Sequence, residues 1–131
     1  MTEQELTAKA TEIIKRMIDT IADKKYEKLA SFMRLDPSWI EKGQTLTEAF
    51  VGFGEWIDGQ LAMWEEDEGR KFEIDHFDKT CIESIDLSEN QTSAIATYQP
   101  ANAGERLDFW FEITFTVGDN EAIIAELNIN I

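Results

Sequence analysis

The chain has 131 residues, 43% of them apolar and 11% aromatic, and a formal charge of −15. This length and apolar content suit one domain with a real core and exclude a disordered chain. The charge excludes a nucleic-acid surface, which needs a basic stripe, and an anionic membrane surface, which would repel the chain.

The charge is not evenly spread. Residues 1–45 hold 8 basic and 8 acidic side chains, whereas residues 46–131 hold 4 basic and 19 acidic ones. The apolar period also changes in the twenty-odd residues after Leu46, from helical to strand-like. A single domain over 1–131 is expected, with helices at about 3–66 and strands at about 70–131.

Thr2 followed by Glu5 fits a capping box. Leu6, Ala10, Ile13, Ile14, Met17, Ile18 and Ile21 then recur at three- and four-residue spacing, which predicts a helix from Glu3 to Ala22. Asp23 is placed to cap a second, shorter helix with Tyr26, Leu29, Ala30, Phe32 and Met33 inward. Asp36-Pro37 ends it, because the residue before proline is pushed out of helical geometry. Trp39 and Ile40 fall in the connection and plug an end of the core. A third helix follows, capped by Thr45 or Thr47, with Leu46, Phe50, Phe53, Ile57, Leu61 and Trp64 along one stripe. Gly52, Gly54 and Gly59 weaken it by up to ~1 kcal/mol each relative to alanine; close packing against a sheet and room for a ligand both explain them.

After Gly69 the period falls to two. The predicted strands are Arg70 to Phe77, Thr80 to Leu87, Thr92 to Gln99, Arg106 to Val117 and Ala122 to Ile131. Ser88 to Asn90 and Gly118 to Asn120 read as hairpin turns, and Pro100 to Gly104 as a longer loop. The fold class is α+β: three N-terminal helices on an antiparallel sheet of about four to five strands.

This order of elements is similar to that of the nuclear transport factor 2-like superfamily, which includes ketosteroid isomerases, scytalone dehydratases and polyketide-cyclase-like proteins. The string from Ile21 through Ala-Asp-Lys-Lys-Tyr-Glu-Lys-Leu-Ala-Ser-Phe to Met33 resembles the stretch after that family's first helix. The resemblance implies a cone-shaped, cystatin-like roll with helices closing over a pocket, and dimers formed through the outer sheet face. It places no family catalytic residue on a position of this chain. Tyr26 and Tyr98 are the only tyrosines, and neither sits in a motif that the isomerases use.

His76 is the only histidine. At two-residue spacing from Phe72 and Ile74 it would share their strand face and serve as a proton shuttle, or sit as a surface or hydrogen-bonded core residue. Asp75 and Asp78 are its neighbouring carboxylates. Glu65-Glu66-Asp67-Glu68 ends the third helix, where negative charge opposes the helix dipole. It is read as a solvated helix end, a docking patch or a loose cation site, with Arg70 and Lys71 as partial counter-charges and no EF-hand spacing. Trp110 and Glu112 fall on the outward face of the central strand, an expected dimer interface. Cys81, the sole cysteine, makes an internal disulfide impossible and has no neighbouring base to activate it. No cofactor or metal motif is present.

Three functions compete. The first is non-catalytic binding of a small apolar ligand in a pocket lined by Phe50, Phe53, Trp56, Phe109, Phe111 and Phe115, residues that would equally well fill a core. The second is an acidic interaction protein for a cationic partner, of the immunity or inhibitor kind. The third is a lyase or isomerase using His76 or a buried carboxylate. The acidic first residues lack a signal core and no apolar run nears the ~20 residues of a membrane span, so a cytoplasmic location is expected.

Overall fold

The computed structural model describes residues 1–131. Helix α1 runs Glu3–Ala22, and its capping box is formed: the Thr2 hydroxyl accepts from Glu5 N–H and the Glu5 carboxylate accepts from Thr2 N–H. Leu6, Ala10, Ile14, Met17, Ile18 and Ile21 make its buried stripe. Helix α2 runs Leu46–Glu68, with a second capping box from Thr45 and Glu48 and a left-handed Gly69 (φ 67°) closing its C-terminus. That conformation suits glycine, which has no Cβ to clash with the turn.

Between the helices the chain departs from expectation. Tyr26–Ser31 is a 3₁₀-helix rather than an α-helix. Tyr26 and Leu29 are buried and Phe32 is half-buried, at intervals of three. Side chains at that interval align along a 3₁₀-helix, not an α-helix. The next residues give a strand that periodicity cannot reveal: β1, Arg34–Leu35, is two residues long and pairs in parallel with the last strand. Pro37–Trp39 is a further single 3₁₀ turn.

The sheet strands are β2 (Ile82–Leu87), β3 (Ser93–Tyr98), β6 (Trp110–Val117) and β7 (Ile123–Asn130), and their order with β1 is β1-β7-β6-β3-β2. The four long strands pair antiparallel, β2 to β3 and β6 to β7 through short turns at the expected residues, and β3 to β6 through a longer connection. A small hairpin, β4 (Ala101–Asn102) with β5 (Glu105–Arg106), replaces the expected loop, so the long strand starts at Trp110 rather than Arg106. The strand expected from Thr80 starts at Ile82, after a 3₁₀ turn over Lys79–Cys81.

No strand forms over Arg70 to Phe77. Phe72 and Ile74 are buried as their alternation requires. However, the backbone donates to Glu65 from Phe72, to Asn102 Oδ1 from Glu73, to the Ala101 carbonyl from Asp75 and to Asp19 from Phe77. Alternation reports which side chains are buried; it does not report whether a neighbouring strand supplies the acceptors.

One sheet face carries Ala94, Ala96, Tyr98, Phe111, Ile113, Phe115, Ala125, Leu127 and Ile129, all buried, in one apolar cluster with the inward stripes of both helices. The opposite face presents Ile95, Thr114, Thr116 and Ile124, and Ile95 and Ile124 remain 48% and 39% exposed. The sheet is thus covered on one side only, as an antiparallel sheet permits.

Candidate functional site

Of the six aromatic residues expected to line a pocket, Phe50, Phe53, Phe111, Phe109 and Trp56 form one series of ring contacts, and Phe115 is buried in the same core. Phe50, Phe53, Phe111 and Phe115 are fully buried and Phe109 is 1% exposed, while Trp56 is half-buried. Trp39 meets Phe53 edge-on at 5.1 Å between ring centroids, Phe53 lies 6.4 Å from Phe111, and Phe111 lies 5.3 Å from Phe109. Phe109 continues the series to Trp56 at 6.1 Å and to Trp64 at 6.0 Å. These separations and tilted planes are those of attractive ring contacts. None of the five larger concavities of the protein touches any of the six residues.

His76 does not follow Phe72 and Ile74 inward. Its side chain is 65% exposed, and its Nε2 lies 2.8 Å from Asp23 Oδ1 at the end of α1. The nearby carboxylates have other tasks. Asp75 accepts from the N–H groups of Ala103 and Gly104 at 2.8 Å each, which holds the β4–β5 turn. Asp78 caps the Lys79–Cys81 turn through Thr80, and those bonds hold its carboxyl below the usual range. Asp19 is pushed up by partial burial, but Phe77 N–H and the Lys15 ammonium outweigh this and hold its carboxyl below the usual range. These acids fasten the extended segment 72–78 to α1 and to the hairpin.

The two tyrosines are structural. Tyr26 donates to Asp58 Oδ1 at 2.7 Å from beneath α2, and burial together with that carboxylate pushes its hydroxyl well above its ordinary range. Tyr98 OH accepts from Asp78 N–H at 3.1 Å, and burial pushes its hydroxyl up as well. Burial also raises the Cys81 thiol, the reverse of what a nucleophile needs.

The acidic run at the end of α2 is divided. Glu65 accepts from Phe72 N–H, Glu68 pairs with Arg70 at 3.2 Å, and Glu66 and Asp67 stand in solvent. Arg70 also reaches Glu105 at 3.0 Å, while Lys71 pairs with Glu73 instead. No group of three or more His, Cys, Asp or Glu side chains converges in metal-holding geometry. Trp110 and Glu112 are half-buried on the outer sheet face, where Asn130 donates to Glu112 at 2.7 Å.

The largest concavity is one that periodicity did not indicate. A groove of about 690 Å³ runs between the first half of α1, at Thr7, Ala8 and Thr11, and the strand β2, at Ile82 and Ile85. Its strand wall is the last strand of the sheet. Alternation identifies Ile85 as inward-facing, but it cannot show that the sheet ends there.

The chain matches no family model, no curated protein and no solved structure.

Proposed function

We propose that this protein is a non-catalytic docking domain whose acidic surface receives a cationic protein partner. The carrying observation is charge without counter-charge. Ion pairs engage only seven of the 27 acidic residues. Helix α2 alone has seven acidic residues and no basic one, with Glu48, Glu55, Glu66 and Asp67 exposed. Self-repulsion on this scale lowers the stability of the compact state and speeds the encounter with an oppositely charged partner.

The packed rings favour this reading over a small apolar ligand, which would have to displace contacts already made. The open setting of His76 favours it over catalysis, since a general acid or base works best in a site that excludes water. The helical first half followed by hairpin-linked strands supports kinship with the nuclear transport factor 2-like superfamily, and a cone-like curvature of the sheet belongs to the same proposal.

The test is capture from extract at low salt. A partner held by this surface elutes steeply as ionic strength nears ~0.15 M, where screening reaches about 8 Å. It is lost when Glu55, Glu66 and Asp67 are changed to lysine. Capture that survives both high salt and that triple change sinks the reading.

A second reading concerns the bare outer sheet face, where Ile95 and Ile124 are exposed and Trp110 is half-buried. Two copies pairing there through Trp110 and Glu112 would bury it. Native mass determination of the wild type and of Trp110→Asp tests this, and a monomer at micromolar concentration rejects it.

A further inference from the structure

Strand β2 ends the sheet, with β3 on one side and no strand on the other. The direction of its free backbone groups follows from one bond. Ser88 N–H donates to the Ser93 carbonyl at 3.0 Å, and Ile85, Asp86 and Leu87 face Ala96, Ile95 and Ala94 in continuous antiparallel register. Bonded and non-bonded pairs alternate along such a ladder. Asp86 therefore turns its N–H and C=O toward β3, and Ile85 and Leu87 turn theirs to the open side. A free row of this kind is a template for one more strand.

The side chains agree with the backbone. Ile85 and Leu87 lie opposite Ala96 and Ala94, which are buried, so they point to the helix-covered face. The groove lies on that face, between Ile85 and the α1 wall of Thr7, Ala8 and Thr11. A strand laid along β2 would send every second side chain into this groove, and the others to the outer face beside Asp86. After a register break between Ile82 and Ser84, the residues Ser84 to Leu87 run in unbroken register with β3 and span about 13 Å, at ~3.3 Å each, the length over which a docked segment can pair regularly.

Charge selects the occupant. β2 carries Glu83 and Asp86, both exposed, and no basic residue. Glu3 and Lys79 also line the groove and offset each other. A second copy pairing edge to edge would set Glu83 and Asp86 of both copies on strands about 4.8 Å apart. It would also join two bodies that each carry a charge of −15. A basic strand meets the same carboxylates as counter-ions.

The geometry points to strand addition: an extended peptide of alternating apolar and basic residues docks along β2, with its apolar side chains in the α1–β2 groove. This rests on the docking function proposed above and adds to the α2 carboxylates a second contact at the β2 edge, whose groove includes no α2 residue.

The test uses the full chain and synthetic octapeptides of alternating isoleucine and lysine. One is unmodified, and two are N-methylated on alternate amides, in one frame or the other. Binding is followed by fluorescence anisotropy, and amide exchange by NMR. The expected result is that methylation in one frame weakens binding by about tenfold or more while the other frame is tolerated, because only one set of amides faces β2. The Ile85 and Leu87 amides gain protection, and Ala8→Tyr, on an exposed helix position, blocks the groove without touching the core.

Equal effects of the two frames, with no new protection at Ile85 and Leu87, overturn strand addition; if binding still falls with salt, the cationic-partner function survives. Failure of the unmodified peptide and of a scrambled basic control to bind at low salt overturns both. Protection of the same amides without peptide, rising with protein concentration, assigns the edge to a second copy instead.

Discussion

Gly54 provides the sharpest check on how α2 is seated. A methyl group added at this position would lie 2.1 Å from Tyr26 Cδ2 and 2.3 Å from its Cγ. The ring cannot easily yield. It is 7% exposed, and its hydroxyl is tied to Asp58 on the same helix. Relief would require α2 to lift or the ring to move and loosen that bond, and overpacking of this kind costs ~1–3 kcal/mol. Weakening a hydrogen bond to a carboxylate adds ~1 kcal/mol or more. Against this stands the better helix propensity of alanine, ~1 kcal/mol. Gly54→Ala is therefore expected to destabilise the protein by ~2 kcal/mol, a fall of several degrees in Tm.

Gly52 and Gly59 supply the control, since a methyl group at either meets nothing within 4 Å. Gly52→Ala and Gly59→Ala are expected to stabilise by ~0.5–1 kcal/mol each. Urea unfolding followed by circular dichroism measures all three, and a Gly54→Ala/Tyr26→Ala double variant should recover part of the loss. If Gly54→Ala proves as stable as Gly52→Ala, the seating of Tyr26 under α2 is wrong.

Phe53→Ala should cost ~3–5 kcal/mol by urea unfolding, because its ring joins Trp39, Phe50 and Phe111 with no space to collapse into; a loss below 1 kcal/mol would mean that the ring lines an open chamber. Tyr26 and Tyr98 keep their protons in the folded state beyond the ordinary value of 10.0. Above about pH 10 the unfolded chain then binds fewer protons than the native one, so stability present below pH 10 falls as pH rises, by up to ~1.4 kcal/mol per pH unit for each tyrosine. Tyr98→Phe should make that decline shallower, and an unchanged slope would remove Tyr98 from the account. His76→Ala should change stability by less than ~0.5 kcal/mol, since the pair with Asp23 is 65% and 48% exposed; a larger loss in thermal melts would show the pair to be structural.

Local chemistry was readable wherever one stretch of chain contains its own cause. The boundaries of α1 follow from Thr2, Glu5 and a seven-residue apolar stripe. The start of α2 was narrowed to Thr45 or Thr47, and the hairpins follow from Ser88 to Asn90 and Gly118 to Asn120. The alternation of Phe111, Ile113 and Phe115 fixed which face of the central strand is buried. The charge excess beyond Leu46 could be counted directly, because charge does not depend on fold.

What required the tertiary structure was every property that depends on a remote partner. The alternation of Phe72 and Ile74 was the same whether a strand or scattered acceptors, three side chains and one carbonyl, served the backbone. Asp19 and Asn102 are acceptors that lie far away in the chain. Arg34 and Leu35 form a strand only because Glu126 and Leu127 lie beside them. Whether the phenylalanines enclose a chamber or fill it depends on Trp39 and Trp56 reaching Phe53 and Phe109, a matter of volume rather than pattern. The order of strands, which leaves β2 and its groove beside α1 at the edge, is likewise set by how the whole sheet assembles; composition and periodicity are the same in either case.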